Sequence, residues 1–329
     1  MSYAEGSLIK VFAGRHQIEL AERICGSRAL GIPLGKARTH VFPDGELIVY
    51  VEEDVRGRDC FVVLSTCDPV NANMMELLIF ADSLRRASAK RITAVVPYFG
   101  YGRQDRKERG RTPITAKLVS NLIQEAGFDR VLTMDLHAAQ LQGFFDIRVD
   151  HLAAAPLFKA YFDTHPIMVE DVVVVSPDIG NVKMSNMFAD MLGTEFAIID
   201  KRRIAGDSVK TQHLIGDVSG KNVLMIDDMV STGGTVVEAS RLLKEHGAER
   251  ISVAASHGVF SGPAAARIAE SPVEKVVVTD SIPPGDRYAL LGDRLEVLCI
   301  GDMLAEAIHH IHYNQSVSSL FSKFAASKR

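Results

Sequence analysis

The sequence has little of what marks secreted, membrane and nucleic-acid-binding proteins. It contains no tryptophan, 4 cysteines and a formal net charge of -4. Cys25, Cys60, Cys67 and Cys299 form no C-x-x-C pair and show no histidine spacing suited to zinc, so we expect free thiols in a reducing compartment. No apolar run reaches the ~20 residues of a membrane span, and the N-terminus lacks the basic start and apolar core of a signal peptide. We therefore expect a soluble cytoplasmic protein whose main partner is neither a membrane nor a nucleic acid.

What the sequence does contain is the composition and the alternation of an α/β protein. The hydrophobic content is 47% and the charged content 24% over 329 residues, enough for about two globular domains of ~150 residues each. Strand-like apolar runs alternate with helical patterns along nearly the whole chain, which predicts βαβ units and parallel sheets flanked by helices. The expected strands are 9–13, 60–65, 92–96, 131–134, 172–176, 196–199, 223–226, 251–255 and 276–279, and the expected helices include 74–86, 114–126, 183–192, 235–246 and 303–312.

A weak internal repeat indicates that the two domains are related. The segments 84–95 and 243–254 each close a helix and open a strand with the same order of a small residue, Ala, a charged residue, Arg and Ile. This order could also be a common way of leaving a helix, with Gly247 as the C′ residue. Because the flanking strands and helices also correspond, we favour two related α/β halves, at 1–150 and 151–302.

The most informative stretch is a strand that runs into acidic residues, a Gly-rich loop and a helix. The apolar run 223–226 indicates a strand buried on both faces, and it ends at the carboxylates Asp227 and Asp228. Unpaired N–H groups at a helix start favour a phosphate, and glycines let the backbone approach it closely. A phosphate beside two carboxylates, which can hold sugar hydroxyls or a metal, predicts a phosphorylated sugar. The loop itself, called here the sugar-phosphate loop, consists of Ser231, Thr232, Gly233, Gly234 and Thr235.

A second loop, 97–113, follows the strand 92–96 and is called here the basic loop. It carries arginines and a lysine in a run broken by glycines. Guanidinium groups match phosphate oxygens two at a time, so the loop predicts a polyphosphate ligand. Tyr98, Phe99 and Tyr101 could stack on a base. The alternatives are a solvated basic loop or a contact between subunits.

The segment Phe42-Pro-Asp-Gly-Glu46 lies between two strand-like stretches. Pro-Asp-Gly is a turn signature, so a plain hairpin is the simplest interpretation. An exposed Phe42 flanked by the carboxylates of Asp44 and Glu46 would also suit the face and amino group of an adenine.

Four further residues follow predicted strands, where ligands bind in parallel sheets. His137 and Asp178 could supply hard ligands for Mg²⁺, with phosphates and water filling the other positions. The alternatives are a structural histidine and an aspartate that caps the next helix. Lys201 and Arg203 could close over a reacting phosphate and neutralise its charge, or belong to a charged surface turn.

These motifs, taken in order, closely resemble the ribose-phosphate pyrophosphokinase family, also called phosphoribosyl pyrophosphate synthetases, over roughly residues 9–321. The acid pair and its loop alone are shared with the wider group of phosphoribosyltransferases. The matching segments are 42–46, 65–71, 97–107, 113–117, 135–138, 142–146, 176–178, 201–203, 227–235 and 316–318.

The resemblance implies two tandem type I phosphoribosyltransferase-like domains and transfer of the diphosphoryl group of ATP to ribose 5-phosphate, for nucleotide biosynthesis. It implies Mg²⁺ on His137 and Asp178, and Lys201 and Arg203 as catalytic cations of a flexible loop, with Arg203 also near the sugar phosphate. The residues it assigns to ATP are Phe42, Asp44, Gly45, Glu46, Arg103, Gln104 and Arg106. Those it assigns to ribose 5-phosphate are Asp227 and Asp228 on the hydroxyls and Ser231, Thr232, Gly233, Gly234 and Thr235 on the phosphate.

The resemblance also implies an assembly. In this family the hairpin at 42–46 reaches the ATP site of the neighbouring subunit, so we expect at least a dimer and, by family habit, a homohexamer. The C-terminal helix, about 303–321, is expected to pack on the first domain.

The chain departs from the family pattern at several positions. Ser231 stands where the family usually has Asp, and Ile179, Asn181 and Met184 differ after Asp178. Ser319 stands where a Tyr commonly follows 316–318. A phosphoribosyltransferase and a catalytically silent regulatory homologue therefore stay open as alternatives.

Overall fold

The computed structural model describes residues 8–165, 170–203 and 210–318, with the side chains of 201–203 and 210–212 left aside. The chain divides into two compact units. The first runs through Ala153 and takes in Ser281–Pro283 and the chain from Cys299 onwards. The second comprises Ala154–Asp280 and Pro284–Leu298.

The first unit is built on a five-stranded sheet in the order β1-β4-β5-β6-β7, with every pair parallel. The strands are β1 (Ile9–Ala13), β4 (Asp59–Val63), β5 (Arg91–Val96), β6 (Arg130–Met134) and β7 (Arg148–Leu152), and a separate hairpin is formed by β2 (Ala37–Val41) and β3 (Leu47–Val51). All five residues of β4 are buried, as expected of a parallel strand covered on both faces. The helices are α1 (Ile18–Gly26), α2 (Val70–Arg86) and α3 (Thr115–Ala126).

Helix α2 shows why these segments pack as they do. Leu77, Phe80, Ala81 and Leu84 recur at helical spacing and are fully buried. Three- and four-residue steps place side chains on one face of a helix, so α2 presents a continuous apolar stripe to the sheet.

The second unit is built on a seven-stranded sheet in the order β10-β9-β8-β11-β12-β13-β14. All its pairs are parallel except β9 with β10. The strands are β8 (Val172–Ser176), β9 (Glu195–Arg203), β10 (Lys210–Ile215), β11 (Asn222–Val230), β12 (Ile251–Gly258), β13 (Lys275–Thr279) and β14 (Leu295–Leu298). The helices are α4 (Ala155–Thr164), α5 (Val182–Leu192), α6 (Gly234–Glu245), α7 (Ala264–Ala269) and α8 (Asp286–Ala289). A further helix, α9 (Gly301–His312), belongs to the first unit and packs against α1.

The α/β class with mostly parallel sheets is confirmed, but two expected strand ends are wrong. β11 does not stop at Ile226, because its pairing with β12 continues as far as Val230, so Asp227 and Asp228 lie inside the strand. β9 extends to Arg203 because its final residues pair with β10, so the backbone of Lys201 lies in a strand and not in a loop.

Two further expectations concern the whole chain. No helix in the described part of the chain has the length and apolarity needed to cross a bilayer. The 4 cysteines are free thiols: Cys25, Cys60 and Cys67 are buried and Cys299 is half-buried.

Candidate active site

The sugar-phosphate loop joins β11 to α6 in the second unit. Gly233 is the N-cap of α6 and has a φ of 75°, in the left-handed region that glycine adopts without strain. A Cβ built there would lie 3.2 Å from the Ala264 carbonyl oxygen, so space as well as conformation demands glycine. As a glycine, this N-cap makes no side-chain hydrogen bond to the N–H groups of the first turn. These N–H groups and the helix dipole together suit a phosphate.

The acid pair lies just before this loop. Asp228 is 7% exposed, and Asp227 is half-buried. Asp227 Oδ1 accepts hydrogen bonds from Asn181 Nδ2 at 2.5 Å and from the Asp228 backbone N–H at 2.8 Å. Burial, a side-chain hydrogen bond with Asp228 and the charge of Asp228 raise the pKa of Asp227 to about 9. In the absence of a ligand this pair therefore holds a proton at neutral pH, which hydroxyl donors or a cation could replace.

Asp178 follows β8 and caps the next helix, which is one of the two roles that the sequence predicts for it. Its Oδ1 accepts a hydrogen bond from the Asn181 N–H at 3.1 Å, at the start of a short 3-10 helix, Ile179–Asn181. The Ser176 hydroxyl donates to the Asp178 carbonyl oxygen at 2.7 Å, which fixes the backbone on the strand side. Because capping engages one carboxylate oxygen, it does not prevent the carboxylate from also binding a metal.

Lys201 and Arg203 lie at the end of β9, where their backbones pair with Gln212 and Lys210 of β10. Their side chains, and residues 204–209 of the expected flexible loop, lie outside the described part of the chain. Their catalytic role therefore stays a prediction.

The basic loop follows β5 in the first unit and is anchored at two points. At one end the Gly100 N–H donates to the Thr66 hydroxyl at 2.6 Å. Near the middle of the loop, the Ala116 N–H donates to the Gln104 carbonyl oxygen at 3.2 Å, and the Thr115 hydroxyl donates to Gln104 Oε1 at 2.5 Å. Only three residues separate the anchors, and one of them is Arg103. The side chains of Arg103, Gln104 and Arg106 are exposed.

One aromatic residue of this loop does not serve as proposed. Phe99 is 5% exposed and its ring packs edge-on against Phe145 at 5.8 Å between centroids. It belongs to the core and cannot stack on a base. Tyr101 is half-buried and donates from its hydroxyl to Asn71 Oδ1.

Residues 42–46 form the tip of the β2–β3 hairpin, as the turn signature indicates. The Phe42 N–H donates to the Glu46 carbonyl oxygen at 2.8 Å, and Gly45 has a φ of 93° that closes the turn. Asp44 Oδ1 accepts from the Glu46 N–H at 3.1 Å. Phe42 is 39% exposed, so an aromatic face and two carboxylates project from this tip.

His137 is exposed just after β6. The turn beside it is fixed on both sides: the Asp135 N–H donates to the Leu152 carbonyl oxygen at 3.0 Å, and the Leu136 N–H donates to His151 Nε2 at 2.9 Å. No group of three His, Cys, Asp or Glu side chains arranged for a metal occurs among the described residues. A cation on His137 or Asp178 would therefore take most of its ligands from phosphates and water, which is how Mg²⁺ is usually held.

Sequence reasoning assigned no role to three residues that support the site. Thr66, His151 and Asn181 act through hydrogen bonds to groups distant in sequence or to a backbone N–H. Of the three, only Asn181 could have been noticed in the sequence, because it lies three residues after Asp178 and therefore in the turn that Asp178 is predicted to cap.

Comparisons with known proteins agree with this arrangement. Residues 9–127 match the N-terminal domain of ribose phosphate pyrophosphokinase, and residues 204–322 match the phosphoribosyl synthetase-associated domain. The ribose-phosphate pyrophosphokinase of Rhodopirellula baltica is 51% identical over 314 residues, covering 95% of this chain and 98% of that protein. Ribose-phosphate pyrophosphokinase 1 of Streptococcus pyogenes is 49% identical over 324 residues, covering 98% of this chain and 99% of that protein.

A solved structure is also similar. The crystal structure of phosphoribosylpyrophosphate synthetase from Mycobacterium smegmatis matches with a TM-score of 0.87 and 42% identity, covering 93% of this chain and 99% of that one. The chain therefore belongs to the ribose-phosphate pyrophosphokinase family, the enzymes of phosphoribosyl pyrophosphate synthesis that transfer a diphosphate group.

Proposed function

We propose that the chain transfers the β,γ-diphosphoryl group of ATP to the anomeric hydroxyl of D-ribose 5-phosphate, giving 5-phosphoribosyl 1-pyrophosphate and AMP. The observation that carries the proposal is the acid pair two residues before the sugar-phosphate loop, in a chain that also has the hairpin tip and the basic loop. A phosphoribosyltransferase would not need the last two features.

Ribose 5-phosphate binds in the second unit. Its phosphate accepts hydrogen bonds from the sugar-phosphate loop: Ser231, Thr232, Gly233, Gly234 and Thr235. Its hydroxyls donate to Asp227 and Asp228 in place of the shared proton.

ATP binds through groups of the first unit. Phe42 offers its exposed ring to the adenine, and Asp44, Gly45 and Glu46 offer acceptors and a turn backbone to its polar edge. The exposed side chains of Arg103, Gln104 and Arg106 bind the phosphates, the arginines as paired donors.

His137 and Asp178 are each proposed as a ligand of Mg²⁺, which when bound would neutralise charge on phosphate oxygens. The protein's own part is then positioning and charge. Lys201 and Arg203 neutralise the charge that develops on the transferring group, and each is expected to lower the barrier by about 3 kcal/mol.

The assembly is at least a dimer, and a hexamer by analogy with the family. In such an assembly the exposed ring of Phe42, at the tip of the hairpin, would be available to the ATP site of a neighbouring subunit. The 4 free thiols support a reducing, cytoplasmic setting.

The proposal is tested by measuring AMP from ATP, Mg²⁺ and ribose 5-phosphate, with omission of the sugar as the control. AMP that appears only when the sugar is present supports the synthetase. AMP formed without the sugar, or no AMP while both substrates bind, contradicts it. The second result would favour the silent regulatory homologue that Ser231 leaves open.

A further inference from the structure

Asn181 lies between the two acidic groups that the proposed function uses in the second unit. It is half-buried, at the end of the 3-10 helix that follows β8. Its backbone N–H donates to Asp178 Oδ1 at 3.1 Å, and its side-chain Nδ2 donates to Asp227 Oδ1 at 2.5 Å. One residue thus binds a carboxylate at the end of β8 and another on β11.

The contact between Asn181 and Asp227 fixes the orientation of the Asp227 carboxyl group. Asp227 Oδ1 receives two donors, the Asn181 amide and the Asp228 N–H at 2.8 Å. Two donors converging on one oxygen fix the rotation of the carboxylate about its Cβ–Cγ bond. Without the Asn181 amide one of these two donors is lost, and the group is freer to turn.

We infer that Asn181 is a positioning residue for ribose 5-phosphate, and that it acts by holding Asp227 in the orientation that accepts the sugar hydroxyls. This rests on the proposed function, since it assumes that Asp227 binds the sugar. An amide suits the task better than a charged donor, because it can donate to Asp227 without forming an ion pair that would compete with the hydroxyls.

The two bonds of Asn181 can be separated by substitution. Asn181→Ala keeps the backbone N–H that binds Asp178 and removes only the amide that binds Asp227. Asn181→Asp keeps the shape but turns a donor into a carboxylate that faces Asp227. The matched control is Asn186→Ala on α5, an exposed asparagine whose amide donates to Asp190 Oδ2 at 3.3 Å.

The experiment measures ribose 5-phosphate affinity by calorimetry, with and without Mg²⁺ and a non-hydrolysable ATP analogue, alongside steady-state kinetics. We expect Asn181→Ala to weaken sugar binding about tenfold and to raise KM for the sugar similarly. KM for Mg-ATP should stay within about twofold, Asn181→Asp should weaken sugar binding more than Asn181→Ala, and Asn186→Ala should match the wild-type chain.

Unchanged sugar affinity in Asn181→Ala would overturn the inference, and so would an equal rise in KM for Mg-ATP, which would indicate a general structural role. Should Asn181→Ala fail to fold, Asn181→Ser, which keeps a short donor, is measured in its place and should fall between wild type and Asn181→Asp. Calorimetry keeps the two proposals apart. If the wild-type chain binds the sugar but forms no AMP, the proposed reaction fails while the role of Asn181 is still read from affinity.

Discussion

Replacing Asp227 by asparagine should stabilise the folded chain while abolishing its activity. Asn keeps an oxygen that can accept from Asn181 and from the Asp228 N–H, and it adds an amide that can donate to Asp228. The change therefore preserves the local bonds and removes the need for the pair to take up a proton when the chain folds. Since Asp227 is assigned to the sugar hydroxyls, turnover should fall at least about a hundredfold.

The magnitude follows from the raised pKa. An acid whose pKa rises on folding takes up a proton when the chain folds, so its contribution to stability is greatest below about pH 4 and falls as the pH rises toward its folded pKa of about 9. At pH 7.5 the gap to an ordinary aspartate pKa is about 3.6 pH units, which at about 1.4 kcal/mol per unit sets a ceiling of about 5 kcal/mol. Water around the half-buried carboxyl lowers this ceiling, and we expect Asp227→Asn to gain about 1–3 kcal/mol.

The assay is urea unfolding of both chains, followed by circular dichroism because the sequence has no tryptophan. It is run between pH 5 and 9, and the gain should grow with pH across this range. Asp190→Asn, an exposed carboxylate on α5, is the control and should leave stability and turnover unchanged. An Asp227→Asn chain that is less stable than wild type, or more stable by the same amount at every pH, would refute the reasoning.

Three further predictions test other parts of the site. Lys201→Ala should lower turnover at least about a hundredfold while ATP affinity changes far less, and turnover within a few fold of wild type would remove Lys201 from catalysis. Gly233→Ala should destabilise the chain by about 1–2 kcal/mol and raise KM for ribose 5-phosphate, because a side chain at a φ of 75° is strained and its Cβ meets the Ala264 carbonyl oxygen at 3.2 Å; Gly220→Ala, with a φ of 69° but open space, is the thermal-unfolding control for strain alone. Thr66→Val, which keeps the shape and removes the hydroxyl that binds the Gly100 N–H, should raise KM for ATP, while Thr66→Ser should restore it; equal values for the two variants would show that the methyl group matters and not the hydroxyl.

Strands that are buried on both faces could be predicted well from the sequence. The strand β8 is an unbroken buried run, Val172–Ser176, and its predicted bounds agree with the structure. An apolar run of this kind needs no knowledge of its neighbours, because burial on both faces already excludes polar residues. The same logic located most of the other parallel strands to within a few residues.

Strand ends that are polar could not be found this way. Asp227 and Asp228 interrupt the apolar run, yet β11 continues because Met229 and Val230 pair with His257 and Gly258 of β12. Such an extension is decided by a partner strand that lies more than twenty residues away in the chain. For the same reason the sequence placed Lys201 in a loop, whereas Gln212 pairs with it across an antiparallel edge.

The residues that orient the site could not be assigned that role from the sequence, for a related reason. A carboxylate after a strand, or a glycine before a helix, indicates a binding role by its residue type and position. Asp227 and Gly233 could therefore be proposed as site residues from the sequence alone. Asn181 and Thr66 act instead by meeting a particular atom, Asp227 Oδ1 in one case and the Gly100 N–H in the other. The residue type of an asparagine or a threonine does not show which distant atom it will hydrogen bond to. The groups that bind ligands can therefore be predicted from the sequence, whereas the groups that orient them can be identified only from the fold. A family member that keeps every binding residue could therefore still differ in affinity through its positioning residues, which is why the departure at Asn181 is the one to measure first.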